Sequence, residues 1–135
     1  MLEGCNKTLT RRAILSFVAS VYDPLGLISP VLLPAKLLLQ GFVKRKLDWD
    51  EPLPAEDQQA WGKWLSKANG LNSLYVESCI NPFGCGISSV QLHCFSDASE
   101  AGYGAAQYLP CEVDEGNASS FLIISNSRVS LIRTV

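Results

Sequence analysis

Asp97 is the residue whose surroundings in the sequence most suggest chemistry. It lies in HCFSDASEAGYGAAQYL, residues 93–109, at the end of an apolar–polar alternation that predicts a β-strand. The small residues after it predict a turn and a second strand of close backbone approach. A strand-end carboxylate can bind Mg²⁺, which prefers oxygen ligands. A lone Asp at that place also serves as a turn cap, and residue chemistry alone favours the cap.

The cysteines and the histidine do not form a metal-binding pattern. The chain has five cysteines without Cys-x-x-Cys spacing and one histidine, His93, so a tetrahedral zinc site is not expected. We interpret the cysteines as reduced, small apolar residues of an intracellular, cytoplasmic protein that is not secreted. The glycosylation sequons at Asn6 and Asn117 are interpreted as chance matches, because no signal peptide is evident.

Positive charge is confined to two short clusters. The net charge of −2 provides no general attraction to nucleic acid. Arg11 and Arg12 form one cluster, and Lys44, Arg45 and Lys46 form the other. Either cluster could contact phosphate. For the second, a solvated helix end that interacts favourably with the helix dipole is the preferred interpretation.

The first half of the chain is predicted to be helical. Thr10 is a candidate N-cap for a first helix that ends before Asp23, which precedes a proline. Ser29 is the candidate N-cap of a second helix, with proline next and Lys46 in its last turn. The apolar belt of residues 13–43 is interrupted by charges and prolines, so we interpret it as a core and expect no membrane contact.

A third helix is predicted after Pro54, with an acidic first turn and a stop at Asn69–Gly70. Trp61 and Trp64 could stack on bases, but their helical spacing favours a packing face. Trp49 is expected to anchor the loop that precedes this helix.

The second half of the chain is predicted to contain strands, which gives an α+β fold. Three strands are expected, over 90–97, 102–109 and 121–125, and a further short strand is possible over 74–80. We predict a helical segment at 1–80, a linker at 81–89 with Asn/Pro/Gly composition, and a strand segment at 90–135.

The order of motifs resembles the Pol polyprotein of BEL/Pao retrotransposons over roughly residues 10–128. The segments that carry the resemblance are DPLGLISPVLLPAK, LDWDEPLP, Trp-x-x-Trp and HCFSDASEAGYGA, in that order. The resemblance implies a thumb and connection segment of reverse transcriptase. It further implies the opening strands of an antiparallel ribonuclease H-like sheet, here incomplete with three strands.

On this resemblance Asp97 matches the first metal-binding, catalytic aspartate of ribonuclease H, and Mg²⁺ is the metal of the intact enzyme. The implied partners are an RNA–DNA hybrid or template–primer, with the rest of Pol needed for activity. The family's next ligand is a glutamate in Arg-Leu-Glu-Leu, whereas the match fails here after Val129. The polymerase motif Tyr-x-Asp-Asp does not occur in the sequence either. We therefore expect a catalytically incomplete fragment that binds no metal alone.

Two other functions are considered. The chain could be a non-catalytic nucleic-acid-binding or interaction module, with Arg11, Arg12 and the 44–46 cluster as phosphate contacts. Part of this family region is also called the Pao retrotransposon peptidase. A retroviral-type aspartic peptidase needs Asp-Thr/Ser-Gly, and neither Asp97-Ala98-Ser99 nor Asp23-Pro24-Leu25 fits it.

Overall fold

The structure, a computed structural model, describes residues 8–76, 87–113 and 118–132. These residues form three α-helices followed by an antiparallel sheet, which confirms the predicted α+β class. The helices are α1 (Arg11–Ser20), α2 (Ser29–Lys44) and α3 (Ala55–Ala68), and a 3-10 turn (Asn69–Ser73) follows α3. The strands are β1 (Ile87–Val90), β2 (His93–Ala98), β3 (Gly102–Val113) and β4 (Ala118–Val129).

The first helix begins where the sequence predicts and ends at Ser20, slightly before the predicted stop at Asp23. Thr10 Oγ accepts a hydrogen bond from the Ala13 N–H at 3.2 Å, as expected of an N-cap. After α1, the Asp23 carboxylate accepts the N–H groups of Leu27 and Ile28 at 2.9 and 3.0 Å. These bonds close the turn that contains Pro24 and Gly26, and they satisfy two donors just before α2.

The ends of α2 differ from the prediction in two details. Ser29 is the first helical residue, and its hydroxyl bonds to the sheet instead of capping the helix. The helix ends at Lys44, so Arg45 and Lys46 lie beyond it rather than in its last turn. Lys46 has a φ of 54°, a left-handed conformation that reverses the chain direction at the helix end.

The helices pack around one apolar core. The Trp61 and Trp64 rings are stacked with centroids 4.9 Å apart, and Phe17 meets Trp61 edge-on at 5.5 Å. These contacts confirm the packing face predicted for α3. Among the described residues, no helix is long and apolar enough to cross a membrane. The buried members of the core are Ile14, Leu32, Ala35, Phe42, Leu53, Trp61 and Trp64.

The end of α3 agrees with the prediction. The α-helix ends at Ala68 with Asn69 as its C-cap, and the backbone then continues as a 3-10 turn to Ser73. Residues 74–76 are not in a strand, and the rest of the strand considered at 74–80 lies outside the described residues. The predicted linker falls outside the described residues over 81–86, and its last three residues belong to β1.

The sheet has three rows, with β3 in the middle. β4 lies on one side of β3, and β2 and β1 lie on the other. The pairs Val90–Cys111 and His93–Tyr108 share one register, so β1 and β2 form a single edge strand with a short interruption. Pro110 lies opposite this interruption and has no N–H to continue the ladder. The three predicted strands therefore appear as four.

The helices and the sheet are joined through α2 and β4. The Lys36 ammonium donates to the Ser127 carbonyl at 3.4 Å, and the Gln40 side chain donates to the Ser130 carbonyl. α2 therefore lies along the last third of β4 and runs toward the end of that strand. The prediction of two separate segments remains a prediction, although the described residues pack against one another.

Candidate functional site

Asp97 occupies the next-to-last position of β2 and is exposed to solvent. Its Oδ1 atom accepts a hydrogen bond from the Ala98 N–H at 2.8 Å. No ion pair is made by this carboxylate among the residues that the structure describes. The second carboxylate oxygen is therefore available to an external group.

A tight hairpin after Asp97 fixes its position at the sheet end. The Ser99 N–H donates to the Gly102 carbonyl at 2.8 Å, and the Gly102 N–H donates to Ser99 Oγ at 3.3 Å. A Cβ atom at Gly102 would lie 2.7 Å from the Arg128 carbonyl oxygen, so only glycine fits this approach of β3 to β4. The predicted small-residue turn thus serves to hold the strands together beside the carboxylate.

The register places Asp97 on the same face of the sheet as α2. Asp97 pairs with Gly104, which pairs with Ser127, and directly opposed residues share a face. Ser127 is buried against Ser29 of α2, whereas Gly104 leaves open space beside Asp97. A cavity of about 520 Å³ lies there, and its lining includes Pro30, Phe95, Asp97, Ala106 and Tyr108.

A second cavity, of about 650 Å³, lies mainly on the opposite face of the sheet. The row Ala98–Tyr103–Arg128 crosses it, together with Ser96 and Asn126. Asp97 lines both cavities, because its strand is the outermost row of the sheet. The carboxylate and the Arg128 side chain therefore border one space without forming an ion pair.

Arg128 is a candidate site residue that the sequence reasoning did not single out. It is exposed, and no hydrogen bond or ion pair of its side chain is present in the described part of the chain. A signal was available in the sequence, because Asn126 and Arg128 alternate with Ser125 and Ser127 and so share the opposite face.

Arg11 and Arg12, which were predicted as possible phosphate contacts, already bind other groups of the protein. The Arg11 guanidinium lies 3.6 Å from the centre of the Trp49 ring and donates to the Leu47 carbonyl at 3.0 Å. Arg12 forms an ion pair with Asp50 at 2.7 Å. The hydrogen bond from Arg12 lowers the pKa of Asp50, and the same bond raises the pKa of Arg12. Trp49 anchors its loop as expected.

Only one residue of the second basic cluster forms an ion pair within the described part of the protein. Arg45 pairs with the carboxylate of Asp57 at 2.7 Å, and the hydrogen bond raises the pKa of Arg45. Asp57 is only 8% exposed, so this ion pair holds the end of α2 against the start of α3. Lys44 and Lys46 are exposed, and their ammonium groups bond to no described residue.

The two basic clusters lie near each other and away from Asp97. Arg11 bonds to the carbonyl of Leu47, which directly follows the second cluster. Lys44 lies fifteen residues along α2 from Ser29, or about 22 Å at 1.5 Å per helical residue. The structure thus brings the two clusters together but separates them from the carboxylate. Among the described residues, no three His, Cys, Asp or Glu side chains are grouped to hold a metal.

These features define a mixed α+β protein with a strand-end carboxylate beside an antiparallel hairpin, consistent with a ribonuclease H-like fold. The family model described as "Pao retrotransposon-like RNaseH-like domain" matches residues 10–135. The chain belongs to this family, which confirms its relation to Pao retrotransposons. Searches of curated proteins and of solved structures gave no match.

Proposed function

We propose that the chain is part of a retrotransposon reverse transcriptase/ribonuclease H polyprotein, with Asp97 as the first metal-binding carboxylate of its ribonuclease H site. The observation that carries this proposal is the position of Asp97, which is exposed at the end of β2 and has a free oxygen facing open space. The helical segment would derive from the thumb and connection region, on the strength of the DPLGLISPVLLPAK resemblance.

The chemistry of Asp97 fits one part of a magnesium site. Mg²⁺ commonly binds to one or two carboxylates and takes its other ligands from water and phosphate oxygens. Asp97 would hold the ion, which would bring positive charge to a bound phosphate. Two-metal hydrolysis requires several carboxylates around ions about 4 Å apart, and among the described residues no three His, Cys, Asp or Glu side chains are grouped to hold a metal. We therefore propose that these residues alone do not complete a hydrolytic site.

Hydrolysis of an RNA–DNA hybrid tests this proposal. The 135-residue chain, given Mg²⁺ and a labelled hybrid, is expected to leave the RNA strand uncut. An added polypeptide that carries the remaining Pol segments should restore cleavage, and Asp97→Asn should abolish the restored activity. If the chain alone cleaves the hybrid and Asp97→Asn abolishes that cleavage, the proposal that its hydrolytic site is incomplete is wrong. Restored cleavage that survives Asp97→Asn would overturn the role of the carboxylate.

A nucleic-acid-binding module is the second candidate function. It is favoured by basic side chains that form no ion pair among the described residues. Lys44, Lys46 and Arg128 have no acidic partner among the described residues, whereas the other predicted contacts already bind acidic groups or carbonyls. A hybrid that contacted both α2 and the Asp97 end of the sheet would extend over roughly 20 Å, about four helical turns along α2.

The salt dependence of hybrid binding measures how many of these cations contact phosphate. Three contacts predict a slope of log K against log salt of about −2.7, and all five residues predicted from the sequence would give about −4.5. Lys44→Gln with Lys46→Gln should reduce the slope by about two. Arg12→Gln is the matched control and should leave the slope unchanged. Binding that does not depend on salt would contradict this function.

A further inference from the structure

The two arginines at the start of α1 occupy positions where positive charge is unfavourable. Arg11 and Arg12 are the first two residues of the helix, and no acidic residue lies in that turn. The N-terminal end of a helix carries partial positive charge, so a cation there is less stable than a neutral residue. Asp50 offsets this cost for Arg12 from a different segment of the chain.

Asp50 binds Arg12 in the geometry that a phosphate group would use. Its two carboxylate oxygens accept hydrogen bonds from Arg12 Nε at 2.7 Å and from Arg12 Nη2 at 3.0 Å. Arginine presents the same planar pair of donors to two oxygens of a phosphate. While Asp50 holds both donors, they are not available to the phosphate backbone of a nucleic acid.

The loop that carries Asp50 is fixed to α1 by contacts that do not involve the Asp50 side chain. The Arg12 N–H donates to the Trp49 carbonyl at 3.1 Å. Further along the loop, the Leu53 N–H donates to the Leu9 carbonyl at 3.0 Å, and the Leu53 side chain is buried in the core. Loss of the Asp50 charge should therefore leave the loop in place and change only the partner of Arg12.

Solvent exposure distinguishes this ion pair from the pair of Arg45 and Asp57. The side chains of Arg12 and Asp50 are 63% and 67% exposed, and exposed ion pairs contribute little net stability. The Asp57 side chain is only 11% exposed, so release of Arg45 would leave a buried carboxylate without a cation, which is strongly unfavourable. Arg12 can therefore change partners, whereas Arg45 is held in place.

We propose that Asp50 is an autoinhibitory group, which occupies Arg12 and keeps it from binding the phosphate groups of a nucleic acid. This inference rests on the nucleic-acid-binding function proposed above. Arg12 lies beside cations that this function uses, because its N–H bonds to Trp49, three residues after Lys46. Asp50 thus withholds one phosphate contact from this surface and limits both its affinity and the dependence of that affinity on salt.

The salt dependence of hybrid binding tests this contact, measured by fluorescence anisotropy on the 135-residue chain. Release of Arg12 in Asp50→Asn should steepen the slope of log K against log salt from about −2.7 to about −3.6. The affinity of this variant relative to the unsubstituted chain should then grow about 3.5-fold as salt falls from about 200 to about 50 mM. Asp50→Asn combined with Arg12→Gln should return the slope to about −2.7.

Glu51→Gln is the matched control, because it removes an equal charge from the same loop and leaves the pair of Arg12 and Asp50 intact. Its slope should equal that of the unsubstituted chain. An unchanged slope in a folded Asp50→Asn protein would overturn the proposal. A steeper slope that survives Arg12→Gln, or the same steepening in Glu51→Gln, would overturn it as well.

NMR of the Arg12 side chain separates this inference from the function on which it rests. Inorganic pyrophosphate titrated into labelled protein should shift the Arg12 Nε–H signal in Asp50→Asn and leave it unchanged in the unsubstituted chain. If this difference appears and neither protein binds the hybrid, the nucleic-acid-binding function is wrong, while the block of Arg12 toward phosphate stands. A shift in both proteins, or in neither, would overturn the block.

Discussion

Ser29 and Ser127 join the helices to the sheet through a buried pair of hydroxyl groups. Their Oγ atoms are 2.7 Å apart, and Ser127 Oγ donates to the Ser29 carbonyl at 2.9 Å. The Ser127 N–H donates to Ser29 Oγ at 2.8 Å. Because Ser127 lies in the same cross-strand row as Asp97, this contact fixes α2 relative to the row that carries the candidate ligand.

Ser127→Ala should lower the free energy of unfolding by about 1–3 kcal/mol, because the Ser29 carbonyl loses its buried donor. Urea denaturation measures this loss. Ser20→Ala is a matched control whose exposed hydroxyl bonds only within α1, and it should change stability by less than about 0.5 kcal/mol.

The same pair also tests whether the helices and the sheet unfold together. Ser29→Ala with Ser127→Ala should cost less than the sum of the single substitutions, because both remove one shared contact. Strictly additive effects, or separate transitions for helix and sheet signals, would contradict the coupling through α2 and β4.

Gly26→Ala should prevent the loop before α2 from seating on β4. Gly26 has a φ of 71°, and a Cβ atom there would lie 1.7 Å from the Ser125 carbonyl oxygen. The collision involves backbone, so the urea midpoint should fall sharply. Gly62→Ala is the matched control within α3, where nothing lies within 4 Å, and it should stabilise by about 0.5–1 kcal/mol. A Gly26→Ala protein as stable as the unsubstituted chain would show that the loop does not dock on β4.

Local chemistry made the helices and the strands around Asp97 predictable from the sequence. Thr10 caps α1, and Trp61 and Trp64 form the predicted packing face, because both features depend on residues within a few turns. The strand that ends at Asp97 follows from period-two alternation. Pro110 explains the interruption of the edge strand, but its effect depends on a partner about twenty residues away.

Tertiary partners could not be predicted from the sequence. The Ser29 hydroxyl was expected to cap α2, yet it is used by Ser127, a residue distant in the chain. Arg12 and Arg45 were treated as available cations, whereas Asp50 and Asp57 bind them. The sequence gives the charge of such residues. Only the packing of loops and helices decides which of them form ion pairs within the protein and which stay available to bind phosphate.

Lys46→Gly should raise the free energy of unfolding by roughly 0.5–1 kcal/mol, because glycine accepts a positive φ without the Cβ penalty that Lys46 incurs at 54°. Thermal and urea denaturation measure the change. Lys44→Gly removes the same charge from within the helix and should instead destabilise by about 1 kcal/mol. Equal effects of the two substitutions would exclude backbone conformation as the cause.

The ion pair of Arg12 and Asp50 should weaken in acid. The hydrogen bond from Arg12 lowers the pKa of Asp50 in the folded protein below its ordinary value of about 3.9. The stabilisation is therefore present above about pH 4 and is lost as pH falls through the lowered pKa. Carboxyl NMR titration of Asp50 measures this, and Arg12→Gln should return the midpoint to the ordinary value.

Glu51→Gln is the matched control for this titration, because it removes a neighbouring carboxylate that lies outside the ion pair. It should leave the midpoint of Asp50 nearly unchanged. An Asp50 midpoint at or above the ordinary value in the unsubstituted protein would show that Arg12 does not hold the carboxylate in solution.

The central claim is that Asp97 binds a divalent metal, and paramagnetic NMR tests it most directly. The chain alone is expected to bind no metal at Asp97. Mn²⁺ titrated into the labelled chain together with a polypeptide that carries the remaining Pol segments should broaden the amide signals of Ala98 and Gly104 before those around Asp50, an exposed carboxylate of the helical segment. Excess Mg²⁺ should reverse the broadening, and Asp97→Asn should abolish it while the Asp50 region is unaffected. Broadening that persists in Asp97→Asn, or that never favours the β2–β3 hairpin, would contradict the assignment of Asp97 as a metal ligand.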